Sequence, residues 1–318
     1  MSVKIILSLA IAVGVIVAVG FATVSNFSDD SSTITSNFSD DSSTITSTKN
    51  INDNSVIKQV IDSSLSESTV QFVPRLEHNF NFFLTPGDYT RLTEQGIDQL
   101  EDEVRIELKS DMVEEYDLIS APEGAVVIYP TFTAAAYSEP GFYTFFRGEC
   151  DESCITDLSF ADPTLHFTSS SIATQLLFLL GYDFLMDETV DKNPEILKNY
   201  DKIILLHNEY VTKKMFDAIS THPNIIYLFP NALYAEIDVN HDEQTQTLIR
   251  GHNYPEFEIR NGFDYEIEER FHDYEYDTDC IDWEFIEFEN GYALNCYPDL
   301  MIHTDLNIAL KVKELTKN

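Results

Sequence analysis

The sequence predicts an α/β protein: a doubly wound, mostly parallel sheet with an acidic antiparallel C-terminal extension, preceded by an N-terminal transmembrane helix and a disordered stalk. Three observations predict it. Between Gly124 and Asn240, apolar runs of strand length alternate with helical stretches, the pattern of a parallel sheet covered on both faces. From about residue 241 onward, acidic and aromatic residues interleave. Ahead of both, residues 5–24 carry no charge, and the unit "SNFSDDSSTIT" then occurs twice in tandem without a mismatch.

The uncharged stretch, at about 1.5 Å per residue, matches the roughly 30 Å hydrocarbon core of a bilayer. Lys4 ahead of it favours an inside N-terminus. An uncleaved anchor and a cleaved signal segment are both open, and either places the remainder outside the cytosol. The repeat, Ser25–Thr46, is rich in Ser, Thr, Asn and Asp and has no periodic apolar face, so residues 25–70 read as a stalk. Asn26 and Asn37 fit the N-glycosylation pattern.

Residues 71–318 are expected to form one domain, with the sheet core at 124–240 and the antiparallel extension at 241–300. "NFNFF" suggests a short strand, and "TRLTEQGIDQLEDEVRIEL" a polar helix. "AVVIYP" is a continuous β run. "SSIATQLLFLLG" reads as a buried helix ending at Gly181. "YDFLMD" is a strand, and "NPEILKNY" a short helix with Asn193 as cap and Pro194 at its first position. "KIILLH" is a strand, "TKKMFDAIS" a helix capped by Thr212, and "NIIYLFP" a strand. "DWEFIEFENGYALNCY" reads as a hairpin turning at Asn290-Gly291. Its Trp283, Phe285, Ile286 and Phe288 read as packing residues.

Charge narrows the partners. Against 19 Lys and Arg stand 55 Asp and Glu, a formal charge of −36. Residues 1–47 hold one Lys and four Asp, so the acidity belongs to the folded part. Such a surface repels nucleic acid, and no nucleic-acid partner is expected. The membrane is expected as a partner through the N-terminal helix alone. No protein partner can be named. Calcium binding by residues 264–289 lacks the regular D-x-D-x-D-G spacing. The four cysteines are expected as Cys150–Cys154 and Cys280–Cys296 disulfides outside the cytosol. The second pair requires the segment before Trp283 to fold back, or a bulge. A four-thiolate zinc site is the alternative, although the spacing is not that of a zinc ribbon.

In an open parallel sheet, ligands sit beyond the carboxyl ends of the strands. "KIILL" ends there in His207-Asn208-Glu209, "VVIY" runs into Pro130–Tyr137, and "IIYLFP" ends in Asn231. These are residues that are costly to bury and able to bind a metal or move a proton.

"YPTFTAAAYSEP", "LGYDFLMDETVDKNPEILKNYDKIILLHNEYVTKKMFDAI" and "IIYLFPNALYAEI" resemble the C-terminal part of the N,N-dimethylformamidase large subunit, and more widely the class I glutamine-amidotransferase-like (flavodoxin-like) fold. Three strand-end motifs appear in the family's order: Thr131/Thr133/Tyr137, His207/Glu209/Tyr210 and Asn231/Tyr234. The resemblance covers roughly residues 124–240, and more loosely to about 298. It implies a mononuclear iron held by two tyrosinates and a glutamate, hydrolysing a small amide. Glu209 and Tyr137 would be metal ligands, His207 an acid/base or orienting group, and Asn231 a positioning group for a small amide-like ligand. Tyr89, Tyr116 and Tyr129 are the candidates for the second tyrosinate. The family subunit's long N-terminal part is replaced here by the apolar stretch and the stalk. The Gly-x-Cys-x-Gly nucleophile elbow of the amidotransferases is also missing, which excludes thiol-based glutamine hydrolysis. The expected function is therefore an extracellular, metal-dependent hydrolase of small amide C–N bonds. The alternative is a non-catalytic surface module that keeps the fold.

Overall fold

A computed structural model describes residues 51–63, 71–73, 79–84, 104–119, 123–138, 140–163, 165, 170–263, 280–288 and 290–317. The apolar N-terminal stretch and the tandem repeat lie outside the described residues. So does the sequence from Asp264 to Asp279. Among the described residues, no helix is long and apolar enough to cross a membrane.

The first element is a helix, α1 (Ile51–Ser63). This corrects part of the stalk expected at 25–70, and the compact unit begins at Ser47 rather than at residue 71. Three antiparallel strands follow: β1 (Gln71–Val73), β2 (Phe80–Leu84) and β3 (Val104–Leu108). Strand β3 overturns the helix expected through residue 108. "VRIEL" alternates apolar and polar residues with period two, which buries Val104 and Ile106 and leaves Arg105 and Glu107 on the outer face.

The remaining elements are α2 (Val113–Asp117), β4 (Ala125–Tyr129), α3 (Thr131–Ala136), α4 (Phe142–Phe146), β5 (Leu158–Ser159), α5 (Ser171–Leu179), β6 (Asp183–Met186), α6 (Asp187–Lys192), β7 (Lys202–Leu205), β8 (Tyr210–Thr212), α7 (Lys213–Ser220), β9 (Ile225–Tyr227), β10 (Ala235–Asn240), β11 (Thr245–Arg250), β12 (Phe285–Phe288), β13 (Gly291–Leu294) and α8 (Leu306–Thr316). Gly181 takes φ +86° just past α5 and ends it as expected. Thr212 accepts a hydrogen bond from the Met215 amide and caps α7. Pro194–Asn199 is a 3-10 turn, and Asn193 precedes it without a side-chain cap.

The central sheet has six strands in the order β12-β13-β9-β7-β4-β6, and its strands from β13 to β6 are parallel. Strands β8 and β10 leave it for a second sheet, ordered β5-β11-β10-β8. The expected C-terminal extension is thus divided. Strands β10 and β11 pair in the second sheet, while the β12–β13 hairpin extends the central one. The hairpin pairs Phe288 with Gly291, two residues out of the register expected from a turn at Asn290-Gly291. Gly291 is required there, because a Cβ would lie 1.9 Å from the Ile225 carbonyl oxygen of β9.

Successive residues of the central strands enter opposite cores, as the pleat demands. Val127, Phe184, Ile204 and Ile226 pack with α1, α5, α8 and the three-stranded sheet. Val126, Ile128, Leu185, Ile203 and Leu205 pack with Phe132 of α3, with α7 and with the second sheet. The outer edge of β6 is covered by α1. Asn54 Oδ1 accepts from the Phe184 amide at 2.7 Å, and Asp53 Oδ2 from the Met186 amide at 3.0 Å. These side chains take the place of a neighbouring strand, which blocks edge-to-edge pairing.

Both expected disulfides are present, Cys150–Cys154 and Cys280–Cys296. The segment before Trp283 does fold back. Cys280 takes φ +45°, and Asn295 bonds Glu284 and the Asp282 carbonyl.

Candidate functional site

Glu209 lies between β7, which ends in the central sheet, and β8, which starts in the second. The chain must turn here, and buried polar groups hold the turn. The Leu206 amide donates to Asn208 Oδ1 at 3.0 Å, the His207 amide to Ser170 Oγ at 2.9 Å, and the Glu209 amide to Thr133 Oγ1 at 3.0 Å. The Leu233 amide donates to the Asn208 carbonyl, and the Tyr234 and Ala235 amides to that of Glu209. His207, Asn208 and Glu209 are all buried, with Glu209 at 0% exposure.

The Glu209 carboxylate is the centre of the cluster. Tyr137 Oη donates to Oε2 at 2.8 Å and Tyr143 Oη to Oε1 at 3.1 Å. His207 Nε2 lies 3.1 Å from Oε2, and His252 Nε2 contacts Oε1. Asn231 Nδ2 lies 2.8 Å from His207 Nε2, and Tyr297 Oη lies 3.1 Å from His207 Nδ1. The Asn231 Oδ1 is buried without a hydrogen-bond partner. Aromatic rings close the surroundings. His207 stacks on Phe229, Tyr210 stacks on His252, and Tyr234 lies 4.7 Å from His252.

Burial alone would raise the Glu209 carboxyl, but the attraction and hydrogen bonds of His252 and His207 outweigh it and hold the group well below the usual carboxylate range. Burial, and then the Glu209 charge, push Tyr137 and Tyr210 well above the usual phenol value. Deeper in, Asp299 is fully buried and accepts from the Ala173 amide at the start of α5. Burial pushes it up to about 7 against the pull of that amide and of His207.

The proton count is unusual. Tyr137 Oη and Tyr143 Oη lie 2.8 Å apart. Three short contacts therefore join two phenol oxygens and an ionised carboxylate, and only two phenolic protons are available to them. Hard oxygen ligands about 2.0–2.1 Å from a cation sit about 2.8–3.0 Å apart at neighbouring octahedral positions. The three contacts match that spacing, so this donor set fits a small hard cation. Among the described residues, no group of three or more His, Cys, Asp and Glu side chains could hold a metal ion. Two phenols and one carboxylate are a different donor set.

The structure thus brings together all four residues singled out in the sequence, Tyr137, His207, Glu209 and Asn231. It corrects the candidates for the second tyrosine. Tyr116 packs edge-on against Phe80 and bonds Asn79, Tyr129 is a core residue of β4, and Tyr89 lies outside the described residues. Tyr143, six residues after Tyr137, occupies that place. The sequence reading also missed His252 and Tyr297. His252 arrives on a loop where Gly251, His252 and Asn253 all have positive φ, and no local sequence signal marks its approach to Glu209.

Comparison with protein-family models yields no match for this chain. No curated protein matches it at a significant level either.

Proposed function

We propose that this chain is a metal-dependent hydrolase of small amide C–N bonds, with a site built by Tyr137, Tyr143 and Glu209 on an amidotransferase-like, doubly wound fold. The observation that carries this reading is the proton deficit among three oxygens already at coordination spacing. A hard cation such as ferric iron replaces the phenolic protons, and when bound it supplies Lewis-acid polarisation of an amide carbonyl. The chain's own residues do the rest. Asn231 offers its unpartnered Oδ1 as an acceptor for a ligand N–H. His207 holds or moves a proton at Nε2, while Tyr297 fixes its ring through Nδ1. Phe229, Tyr210 and Tyr234 keep water from the carboxylate. The two disulfides suit a location outside the cytosol, where residues 5–24 serve as anchor or signal segment.

One observation favours the second reading, a non-catalytic surface module. Tyr137, Tyr143, His207 and His252 already occupy both oxygens of Glu209, which is how a purely structural carboxylate is satisfied. Metal content and the visible spectrum of the purified full-length chain separate the two. Near-stoichiometric iron with a tyrosinate band, weakened in Tyr143→Phe and lost in Glu209→Ala, supports the hydrolase. A colourless, metal-free, folded protein that stays so after iron is supplied refutes the metal site.

A further inference from the structure

Glu209 and His207 are fully buried, but two of the side chains that touch Glu209 reach toward solvent. Tyr143 is partly exposed, and the His252 side chain is 13% exposed. They come from different elements, Tyr143 from α4 and His252 from the loop after β11. One residue touches both rings. Phe146, at the end of α4, lies 5.9 Å from the His252 ring and 6.2 Å from the Tyr143 ring, and it is 48% exposed. A second ring pair, Phe145 with Tyr254 at 5.9 Å, fastens the same loop to the same helix. The loop closes on itself, since the His252 and Asn253 amides donate to the Arg260 and Ile259 carbonyls. Phe257, near its tip, is 79% exposed between Glu256 and Glu258. The cation next to Phe146 is occupied, because Arg147 Nε pairs with Glu149 at 3.0 Å.

We propose that Phe146 is a specificity-determining residue that receives the apolar substituent of the ligand bound at Glu209. The site then selects neutral amides carrying an aryl or bulky apolar group over carboxamides that carry a free carboxylate. This deepens the hydrolase reading and rests on it for the position of the amide. The physical basis is direct. A ligand entering between Tyr143 and His252 meets an exposed phenyl face one ring away from the carboxylate. Apolar surface and ring stacking reward burial there. A ligand carboxylate would meet Glu256 and Glu258 on the neighbouring loop, and the adjacent guanidinium is already paired.

The test is equilibrium binding by calorimetry to the purified full-length chain, with acetanilide, acetamide and L-glutamine as probes. Wild type, Phe146→Ala and Phe146→Trp are compared, with circular dichroism to confirm the fold. Acetanilide is expected to bind at least 10-fold tighter than acetamide to the wild type. Phe146→Ala should lower acetanilide affinity about 5- to 10-fold and leave acetamide within twofold, whereas Phe146→Trp should keep the preference. An unchanged preference in Phe146→Ala, glutamine binding as tightly as acetanilide, or no acetanilide binding at millimolar concentration would each overturn the proposal. The spectrum of the same samples keeps the two ideas apart. A colourless, metal-free chain that binds acetanilide through Phe146 removes the hydrolase and keeps the specificity. An iron-loaded chain indifferent to Phe146 does the reverse.

Discussion

Replacing Asp299 with Asn should stabilise the protein, and by an amount that grows with pH. Asp299 is fully buried, and its Oδ2 has no hydrogen-bond partner. Burial raises its carboxyl from 3.8 to about 7, so the folded state keeps a proton that the unfolded chain gives up. Between those two values the native state binds more protons than the unfolded state, and stability falls as pH rises. Below pH 4 both states are protonated and the wild-type carboxyl carries no penalty. Above pH 7 the full penalty is present. About three units at about 1.4 kcal/mol each gives about 4 kcal/mol at most. Asn keeps an Oδ1 for the Ala173 amide and has no charge to bury. The Asp299→Asn advantage should therefore be near zero at pH 4 and reach several kcal/mol at pH 8. Urea denaturation followed by the fluorescence of Trp283, the single tryptophan, measures this directly. Its indole nitrogen bonds Asp305 at the start of α8 and reports that packing. A stability difference that stays flat from pH 4 to 8 would refute the reasoning.

Three further outcomes are expected. Glu209→Gln removes a charge that two phenols and two imidazoles share, and should cost about 3–5 kcal/mol at pH 7 in urea denaturation. Because the Glu209 carboxyl is held low in the fold, that contribution is present above the unfolded value near 4.3 and is lost as pH falls below it toward the depressed folded value, so the cost of Glu209→Gln should shrink in acid. Asn54→Ala strips the acceptor from the Phe184 amide on the β6 edge and should cost about 1–3 kcal/mol, read as a lower urea midpoint with an unchanged slope. The double substitution Cys280→Ala and Cys296→Ala opens a 16-residue separation and should cost about 3 kcal/mol, while the same urea series on wild type under reducing conditions should reproduce the shift.

The parts of the fold that were legible were those in which local physics and tertiary context agree. The runs around Val127, Ile204 and Ile226 have to be strands in a covered sheet because every residue in them is apolar. Gly181 and Thr212 mark helix ends because left-handed backbone and an N-terminal hydroxyl acceptor are local requirements. Where the two diverge, the pattern misleads. "VRIEL" continues a polar, helix-favouring stretch, yet its alternation pays off only against β2 and the buried Gln175 of α5, whose amide bonds both the Val104 carbonyl and the Ile106 amide. Helix α1 looks like stalk because its buried face is polar: Asp53 and Asn54 serve a strand edge about 130 residues away.

The same division runs through the site. The sequence by itself determined that His207, Glu209, Tyr137 and Asn231 lie at strand ends, since a buried strand that terminates in polar residues must deliver them to the sheet's carboxyl edge. It also determined the two disulfide pairings. Only the tertiary structure decided which phenol joins Tyr137 on Glu209, that His252 reaches the same carboxylate from the loop after β11, and that Tyr297 orients His207 from beyond the second disulfide. These contacts close over separations of 66, 43 and 90 residues. No local periodicity encodes them, because they form when two cores pack on opposite faces of one sheet and bring its far loops over a single charge.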